Sequence, residues 1–408
     1  VSVENGGDTS TAAGPLAGLR VVEIDRGLAQ YCGKLLADMG AEVIKIEPPE
    51  GAPARRVPPF IGDVEGPERS LFFWHYNMSK RSVVLDLASE SARAAVRKLA
   101  LSADVVLEDL GPQAMADLGL GDAELRSLNE RLVYAQITPF GPAGPWSQFA
   151  SSDLVQLALG GTMTMTGYDD EAGYASFPIA PAGGQAAHMT GTLAAIAIMG
   201  ALQFRETSGR GQYVDVAAHD AVAASNEMGI PYWVFRQEHV RRHTARHGNP
   251  KEITSRQLFR CRDGKYAMCL TMYMDDDRRY RGLVDWMDSH GLAEDLGSAE
   301  YATPEARTEL TEHIVEVIER FCAQTDSEEL FHEAQARKLP WAPVHGPGDL
   351  VRDPHVREDR NAVVAVPALG HAAVAPGAPY KFSRTPWSLR LPAPGLGEDT
   401  DSVLHAEG

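Results

Sequence analysis

The 408-residue sequence predicts an α/β protein whose larger domain is built on a parallel sheet and whose smaller domain is also α/β. Three observations carry this. First, residues 19–24 (LRVVEI) and 42–47 (EVIKIE) are short apolar runs suited to buried strands. Between them, residues 31–39 (YCGKLLADM) have helical spacing and stop at Gly40, a natural cap. Strand, helix and strand so close together form a βαβ unit with a right-handed crossover. Second, residues 185–204 carry no charge and no proline. Their large side chains (Met189, Leu193, Ile196, Ile198, Met199, Leu202) are spread all round the helical wheel, the pattern of a buried helix. Third, the length exceeds one ordinary domain. The expected division is a disordered tail over 1–15, a large domain over 16–230, a linker and small domain over 231–339, and a return to the large domain over 340–408.

Composition narrows the function. A net charge of −18 and a pI near 5.2 argue against nucleic acid or an anionic membrane as partner. The four cysteines (Cys32, Cys261, Cys269, Cys322) match no metal or disulfide framework, although Cys261 and Cys269 could face each other across a hairpin. A reducing cytoplasm is the simplest compartment, and the polar opening VSVENGGDTSTAAGP reads as a tail rather than a signal peptide.

Taken in order, the first βα turn lacks G-x-G-x-x-G, which argues against a nicotinamide enzyme. A proline-rich loop over 48–59 precedes residues 70–87 (SLFFWHYNMSKRSVVLDL), whose last five residues read as a strand with Lys80 and Arg81 ahead of it, placed for phosphate or simply solvated. Residues 89–101 are an amphipathic helix, 104–108 and 132–138 further strands. Asp153 most simply caps a helix over the following apolar residues. Asp169-Asp170-Glu171, between Gly167 and Gly173, reads as a solvated loop rather than a metal or acid–base site. The uncharged helix closes with Arg205 and Gly209 and leads into a strand over 213–216. His239, His243 and His247 fall four apart, a zinc spacing without a carboxylate motif, so no metal is expected. Asp263-Gly264 marks a hairpin between 258–261 and 266–270. Met228, Tyr232, Trp233, Met272 and Tyr273 could line an apolar ligand pocket or serve as core.

Several of these stretches together resemble one family. They are the uncharged helix running into RET-SGRGQ-YVDV, the run N77-M-S-K-R-S-V-V-L-D-L87, the loop FGPAGPW from Phe140, and KLPWAPV from Lys338. DPHV from Asp353, KFSRTP from Lys381 and GLGEDT from Gly395 complete the set. The chain resembles the CaiB/BaiF family, the family III CoA-transferases, whose relatives include formyl-CoA transferase and alpha-methylacyl-CoA racemase. The resemblance spans roughly residues 16 to 405. It implies a Rossmann-like large domain, a small α/β domain and two chains interlocked like links. It also implies that CoA moves between an acyl-CoA thioester and a carboxylic acid, without a metal, and that the chain pairs with itself or with a paralogous subunit.

The resemblance also assigns positions. Counting back from Gly209-Arg210-Gly211-Gln212 puts Ala187 where the family keeps its nucleophilic aspartate, leaving Asp153 and His188 as fallback nucleophiles. The racemase histidine falls on Ser152, whose hydroxyl is no base near neutral pH, so a racemase is disfavoured. Positions implied to meet CoA are Lys45, Lys80, Arg81, Leu85, Asp109 and Leu110. Three departures cluster there: Glu108-Asp109-Leu110-Gly111 replaces E-N-F-R, Asp117 replaces an arginine, and Ala29-Gln30-Tyr31 is one residue shorter than A-G-P-Y. Each lost contact to the three CoA phosphates is worth roughly 1.5–3 kcal/mol. A methyl group at 187 cannot carry a covalent acyl group. The expected role is the non-catalytic subunit of a heteromeric CoA-transferase whose other chain supplies the aspartate and binds CoA; the alternatives are an active transferase with an atypical nucleophile and a non-catalytic binding or regulatory homodimer.

Overall fold

The computed structural model describes residues 14–168, 177–226, 229–240, 242–244, 255–270, 276–359, 361–366 and 371–406. The expectations for residues 1–13, the Asp169-Asp170-Glu171 loop, Met228, His247, Met272 and Tyr273 fall outside them. The chain divides into two compact units: Val1–Gly161, Ala182–Asn226 and Asp353–Gly408 form the first, Thr162–Pro181 and Glu227–Arg352 the second.

The first unit begins with β1 (Arg20–Ile24), α1 (Gln30–Asp38), β2 (Glu42–Glu47), α2 (Leu71–Asn77), β3 (Lys80–Val84), α3 (Glu90–Ser102) and β4 (Val105–Glu108). It continues through α4 (Ala114–Asp117), α5 (Asp122–Leu128), β5 (Val133–Thr138) and α6 (Asp153–Leu159). After α7 (Thr162–Met165), which belongs to the second unit, come α8 (Gln185–Ser208), β6 (Tyr213–Ala217) and α9 (Ala218–Ala224). The six strands pair in parallel in the order β3-β2-β1-β4-β5-β6. Strand order reverses between β1 and β4, and the carboxyl ends of strands at such a reversal open the crevice where α/β sheets bind ligands.

Each face of the sheet buries its own core. On one, Cys32 and Leu36 of α1 and Ala194, Ile198 and Leu202 of α8 pack over Val21, Val43, Val105 and Val133. On the other, Val96 and Leu99 of α3 and Leu125 of α5 cover Val22, Ile44 and Val106. Small residues on α8 set its distance from α1: a Cβ at Gly191 would lie 2.9 Å from the Cys32 nitrogen and 3.0 Å from the Tyr31 ring. The helix runs from Gly184, left-handed at φ 67°, to Gly209 at φ 71°, whose N–H reaches the Arg205 carbonyl.

One expectation for this helix is corrected. A helix apolar all round was expected to be wholly buried, yet Ile196 is 62% and Phe204 50% exposed. Its small-residue face meets α1 and the sheet, and among the described residues none buries Ile196 or Phe204 on the opposite face. Among the described residues α8 is long and apolar enough to cross a membrane, with a mean hydropathy of 1.3 over its most apolar stretch. It packs here as a core helix against α1, β5 and β6.

The second unit continues with α10 (Gly229–Arg236), β7 (Leu258–Arg260), β8 (Tyr266–Cys269), α11 (Asp277–Ser289), α12 (Pro304–Glu309), α13 (Thr311–Cys322), α14 (Ser327–Ala336), β9 (Trp341–Pro343) and α15 (Pro347–Arg352). Its antiparallel sheet β7-β8-β9 and helices α11, α13 and α14 enclose Trp286, Ile314, Ile318, Phe321 and Trp341. Gly264, at φ +82°, makes the expected hairpin turn. Cys269 does not face Cys261 across it, however: its sulfur lies 3.7 Å from that of Cys322 on α13. Trp341 pairs with Cys269, so residues 341–343 belong to this sheet and the return to the first unit falls at Asp353 rather than at 340. There α16 (Pro354–Asp359), the antiparallel pair β10 (Asn361–Val366) and β11 (His371–Pro376), and α17 (Thr400–Ala406) complete the chain.

Candidate active site

The amino end of α8 borders a cavity of about 410 Å³, lined by Ala187, Gly183 and Gly184 with Gly27, Gln30 and Tyr31, and closed by Pro59, Leu71, Phe72, His75 and Tyr76. No carboxylate is among these residues. The carboxylate nearby is that of Asp153: its Oδ1 accepts from the backbone nitrogens of Ala186 (2.9 Å) and Ala187 (3.4 Å). Ser152 caps Asp153's own helix, taking the Val155 N–H. Asp153 is therefore a cap, as expected, but of α8 rather than α6. The first-turn donors and positive end of α8, which attract an anion, are already served by this side chain.

His188 is drawn against the aromatic wall. Its Nε2 lies 2.8 Å from the Tyr76 hydroxyl, and its ring stands edge to face with Tyr31 at 4.4 Å. Burial lowers its pKa, against the opposing charge of Asp153 and a hydrogen bond to the Gly183 backbone. Burial, with Lys34 and His188 nearby, brings His75 down to about 4. Both imidazoles are uncharged at neutral pH. Of the two fallback nucleophiles, Asp153 is committed to a helix end and His188 to Tyr76.

The residues expected to meet CoA separate into three groups. Lys45 and Lys80 are fully buried in a cluster with Glu23 and Asp25 beneath the start of α1. Lys45 Nζ bonds Glu23 Oε1 at 2.9 Å and also bonds Asp25; Lys80 Nζ meets both Glu23 oxygens at 2.8–2.9 Å and the Gln30 carbonyl at 3.0 Å. Burial pushes Glu23 up to about 7 despite the two lysines. Burial would raise Asp25 as well, but Lys45, a hydrogen bond with Glu23 and Lys80 together outweigh it and hold it at about 2. Arg81 opens β3 at the edge opposite the strands' carboxyl ends, paired with Glu42 at 2.7 Å and Asp399 at 3.0 Å. These three cations hold the scaffold together, so a phosphate would reach them only by breaking buried or part-buried ion pairs.

Asp109 turns inward. Its carboxylate accepts the backbone N–H groups of Arg26, Gly27 (3.1 Å), Leu28 (2.5 Å) and Ala29 (2.9 Å), and so fills the nest that the β1–α1 turn would otherwise offer an anion. Burial raises it to about 7, with Asp25 adding to the rise and the backbone donors opposing it. The sequence reading missed this. An acid directly after β4, across the switch point from a turn with no glycine fingerprint, was the signal available.

Leu85 and Leu110 do come together. They line a second cavity of about 320 Å³ at the strands' carboxyl ends, with Ile24, Ile46 and Leu118, four acids (Asp25, Glu47, Glu50 and Asp86) and two arginines, Arg26 and Arg56. Arg26 and Arg56 are exposed. Elsewhere, His239 stacks on Trp233 at 4.8 Å. Glu294, Asp295 and His313 form a surface cluster within reach of one ion, but Arg320 already pairs with Glu294 and Tyr301 with Asp295.

Comparison with known proteins places this geometry. The model of CoA-transferase family III matches residues 16–400. The chain is 32% identical over 391 residues to the succinyl-CoA:(R)-benzylsuccinate CoA-transferase subunit BbsE of Thauera aromatica, covering 94% of this chain and 92% of that protein. It is 33% identical to the succinate–glutarate CoA-transferase of Agrobacterium fabrum, over 96% of this chain and 95% of the relative. A crystal structure of a CaiB/BaiF family protein from Brucella suis superposes with a TM-score of 0.84 at 29% identity, covering 97% of this chain and all of the other. The match runs through both units and the return, and the chain belongs to CoA-transferase family III, enzymes that exchange CoA between acyl thioesters and carboxylic acids.

Proposed function

We propose that this chain is the non-catalytic subunit of a heteromeric CoA-transferase, whose paralogous partner supplies the aspartate that carries the acyl group. The observation behind this is the methyl of Ala187 in a cavity whose described lining offers no carboxylate. Asp153 is a poor substitute as nucleophile, because attack on a thioester would strip the cap from α8. His188 is poor because its accessible nitrogen is engaged by Tyr76. In support, the Thauera relative is itself named as a subunit. Both curated relatives act between dicarboxylic acids or their CoA esters, which makes succinyl-CoA the first donor to test.

CoA binding is retained in this reading. The adenosine and phosphates would occupy the sheet-end cavity, with Leu85, Leu110 and Leu118 against the base and Arg26 and Arg56 facing the phosphates. The uncovered α8 face bearing Ile196 and Phe204 is where a partner chain of the same fold would pack, giving the interlocked dimer. The assembly works in the cytoplasm, where acyl-CoA is at hand. The test is to purify the chain with a paralogue that has aspartate ahead of the equivalent helix, then treat the complex with succinyl-CoA and hydroxylamine. A hydroxamate on the partner's aspartate alone supports the reading; one on any residue of this chain refutes it.

A further inference from the structure

A third cavity, of about 410 Å³, lies between α4, the first turn of α5 and strands β5 and β6. Its size is within the range of small-molecule pockets, roughly 300–1,000 Å³. It stands back to back with the sheet-end cavity: the segment 110–119 gives Leu110 and Leu118 to that one and Pro112, Met115, Ala116 and Gly119 to this one. The charge of its lining has one sign. Among the described residues that line it, Asp122 and Glu124 are carboxylates, Tyr134 and Tyr213 phenols, Gln136 an amide, and none is basic. From outside the lining, Arg126 holds Asp122 through both oxygens. Glu124 is held loosely, because Arg97 makes its closer contact, 2.8 Å, with Glu90 and stands 3.7 Å from Glu124. Behind the wall is a third acid, Glu108, fully buried. The groups that reach it are donors: the Leu110 N–H at 2.8 Å, Gln136 Nε2 at 2.6 Å and the Tyr134 hydroxyl at 3.3 Å. Among the described residues no basic side chain offsets it, and burial raises it to about 7. Gln136 accepts in turn from the Tyr213 hydroxyl at 2.8 Å, which links Glu108 to the cavity wall.

We infer that this cavity is a second ligand site, for a small organic cation: a guanidinium or ammonium group on a short aliphatic stem. The inference stands apart from the proposed function, since it needs neither CoA nor a partner chain. The chemistry selects the class. An acid or a phosphate ester would enter beside Asp122 and Glu124, with Glu108 behind them and no cation in the lining to offset it. A cation meets the loosely held Glu124 carboxylate and the Tyr213 oxygen, whose own proton is given to Gln136 so that its lone pairs remain to accept. The rings of Tyr134 and Tyr213, stacked with centroids 6.1 Å apart, add a π face on the same wall. Met115, Ala116 and Pro142 leave an apolar surface for the stem. A guanidinium suits this set best, because its planar fork pairs with a carboxylate while its face lies on an aromatic ring.

The test is a ligand-observed NMR titration of the whole chain with n-butylguanidinium and with n-butylurea, a neutral molecule of the same shape. The wild type should bind the guanidinium with a Kd of about 1 mM or tighter, ordinary for a ligand this small. It should bind the urea about tenfold more weakly or worse, the value of a charge-assisted contact. Two variants locate the site. Ala123→Phe fills the cavity from an exposed position on α5, and Glu124→Gln, also exposed, removes the charge and keeps the shape. Each should weaken guanidinium binding about tenfold, with the melting temperature of the wild type showing that the fold is kept. A wild type that binds neither probe, or both equally, overturns the inference. So does guanidinium binding that survives Ala123→Phe, because the acids of the sheet-end cavity are then its seat. Loss in Ala123→Phe with full binding in Glu124→Gln leaves a cavity that does not select charge, and overturns it as well. No acyl-CoA and no partner enter the assay, so its failure leaves the proposed function standing.

Discussion

Replacing Asp153 separates a capping role from a chemical one. Its Oδ1 holds two first-turn N–H groups of α8. Removing a capping acceptor costs about 1 kcal/mol, with a range of roughly 0.5–2, and removing a negative charge from a helix amino end costs about 0.3–1 kcal/mol more. Asp153→Ala should therefore lose about 1.5–2.5 kcal/mol, which lowers the melting temperature of a unit this size by roughly 4–8 °C. Asp153→Asn keeps the acceptor and gives up only the charge, so its loss should stay below about 1 kcal/mol. Thermal and urea unfolding of the two variants measure this directly. In the complex with a catalytic partner, CoA exchange by Asp153→Asn should fall less than about tenfold, because no bond to the acyl group is lost. A variant as stable as the wild type whose exchange drops by about a thousandfold or more would show that Asp153 does chemistry, and would refute the capping argument.

Two other outcomes follow from buried charge. A Cβ at Gly33 would stand 1.5 Å from Glu23 Oε2 and 3.1 Å from Lys80 Nζ, both fully buried, so Gly33→Ala should cost about 3–5 kcal/mol by urea unfolding; wild-type stability would mean the ionic cluster is not rigid. Stability should also depend on pH with a defined sign. Glu23, Glu108 and Asp109 are raised by burial to about 7, so the stability they contribute is full below their ordinary carboxylate range and is lost as pH rises through about 7. His75, lowered by burial to about 4, contributes stability above 6.5 that is lost as pH falls towards 4, worth about 3 kcal/mol at most. Urea midpoints should be higher at pH 6 than at pH 8, and should not fall between pH 6 and pH 4.5, because over that range the three acids outweigh the single histidine; a midpoint that rises from pH 6 to pH 8 contradicts the burial of these acids.

Local pattern made much of the large unit legible. The runs at 19–24, 42–47 and 132–138 are continuous and apolar because parallel strands are buried on both faces, and each lies within a residue of its strand. The limits of α8 were readable because glycine is suited to the left-handed turn that closes it. Register with distant residues was not legible. Nothing local to Lys80 says that its ammonium turns under α1 to Glu23, 57 positions away. Nothing local to Asp109 says that its carboxylate reaches back to the turn after β1. Charge near a strand was read as charge for a ligand, whereas these side chains neutralise one another in the interior. Exposure failed for a related reason: an uncharged helix signals burial without saying whether its own chain or another supplies the cover. Ala187 was found by counting along a motif, and its surroundings (Tyr31, His75, Tyr76) needed the folded chain.

The most direct test is the rate of CoA exchange between succinyl-CoA and a carboxylic acid by the purified chain with no other protein present. With a methyl at residue 187 and Asp153 tied to the end of α8, that rate should not rise above the uncatalysed background, and adding an aspartate-bearing paralogue should bring it to an ordinary enzymatic level. Turnover of even about one per second by the chain alone would contradict the account.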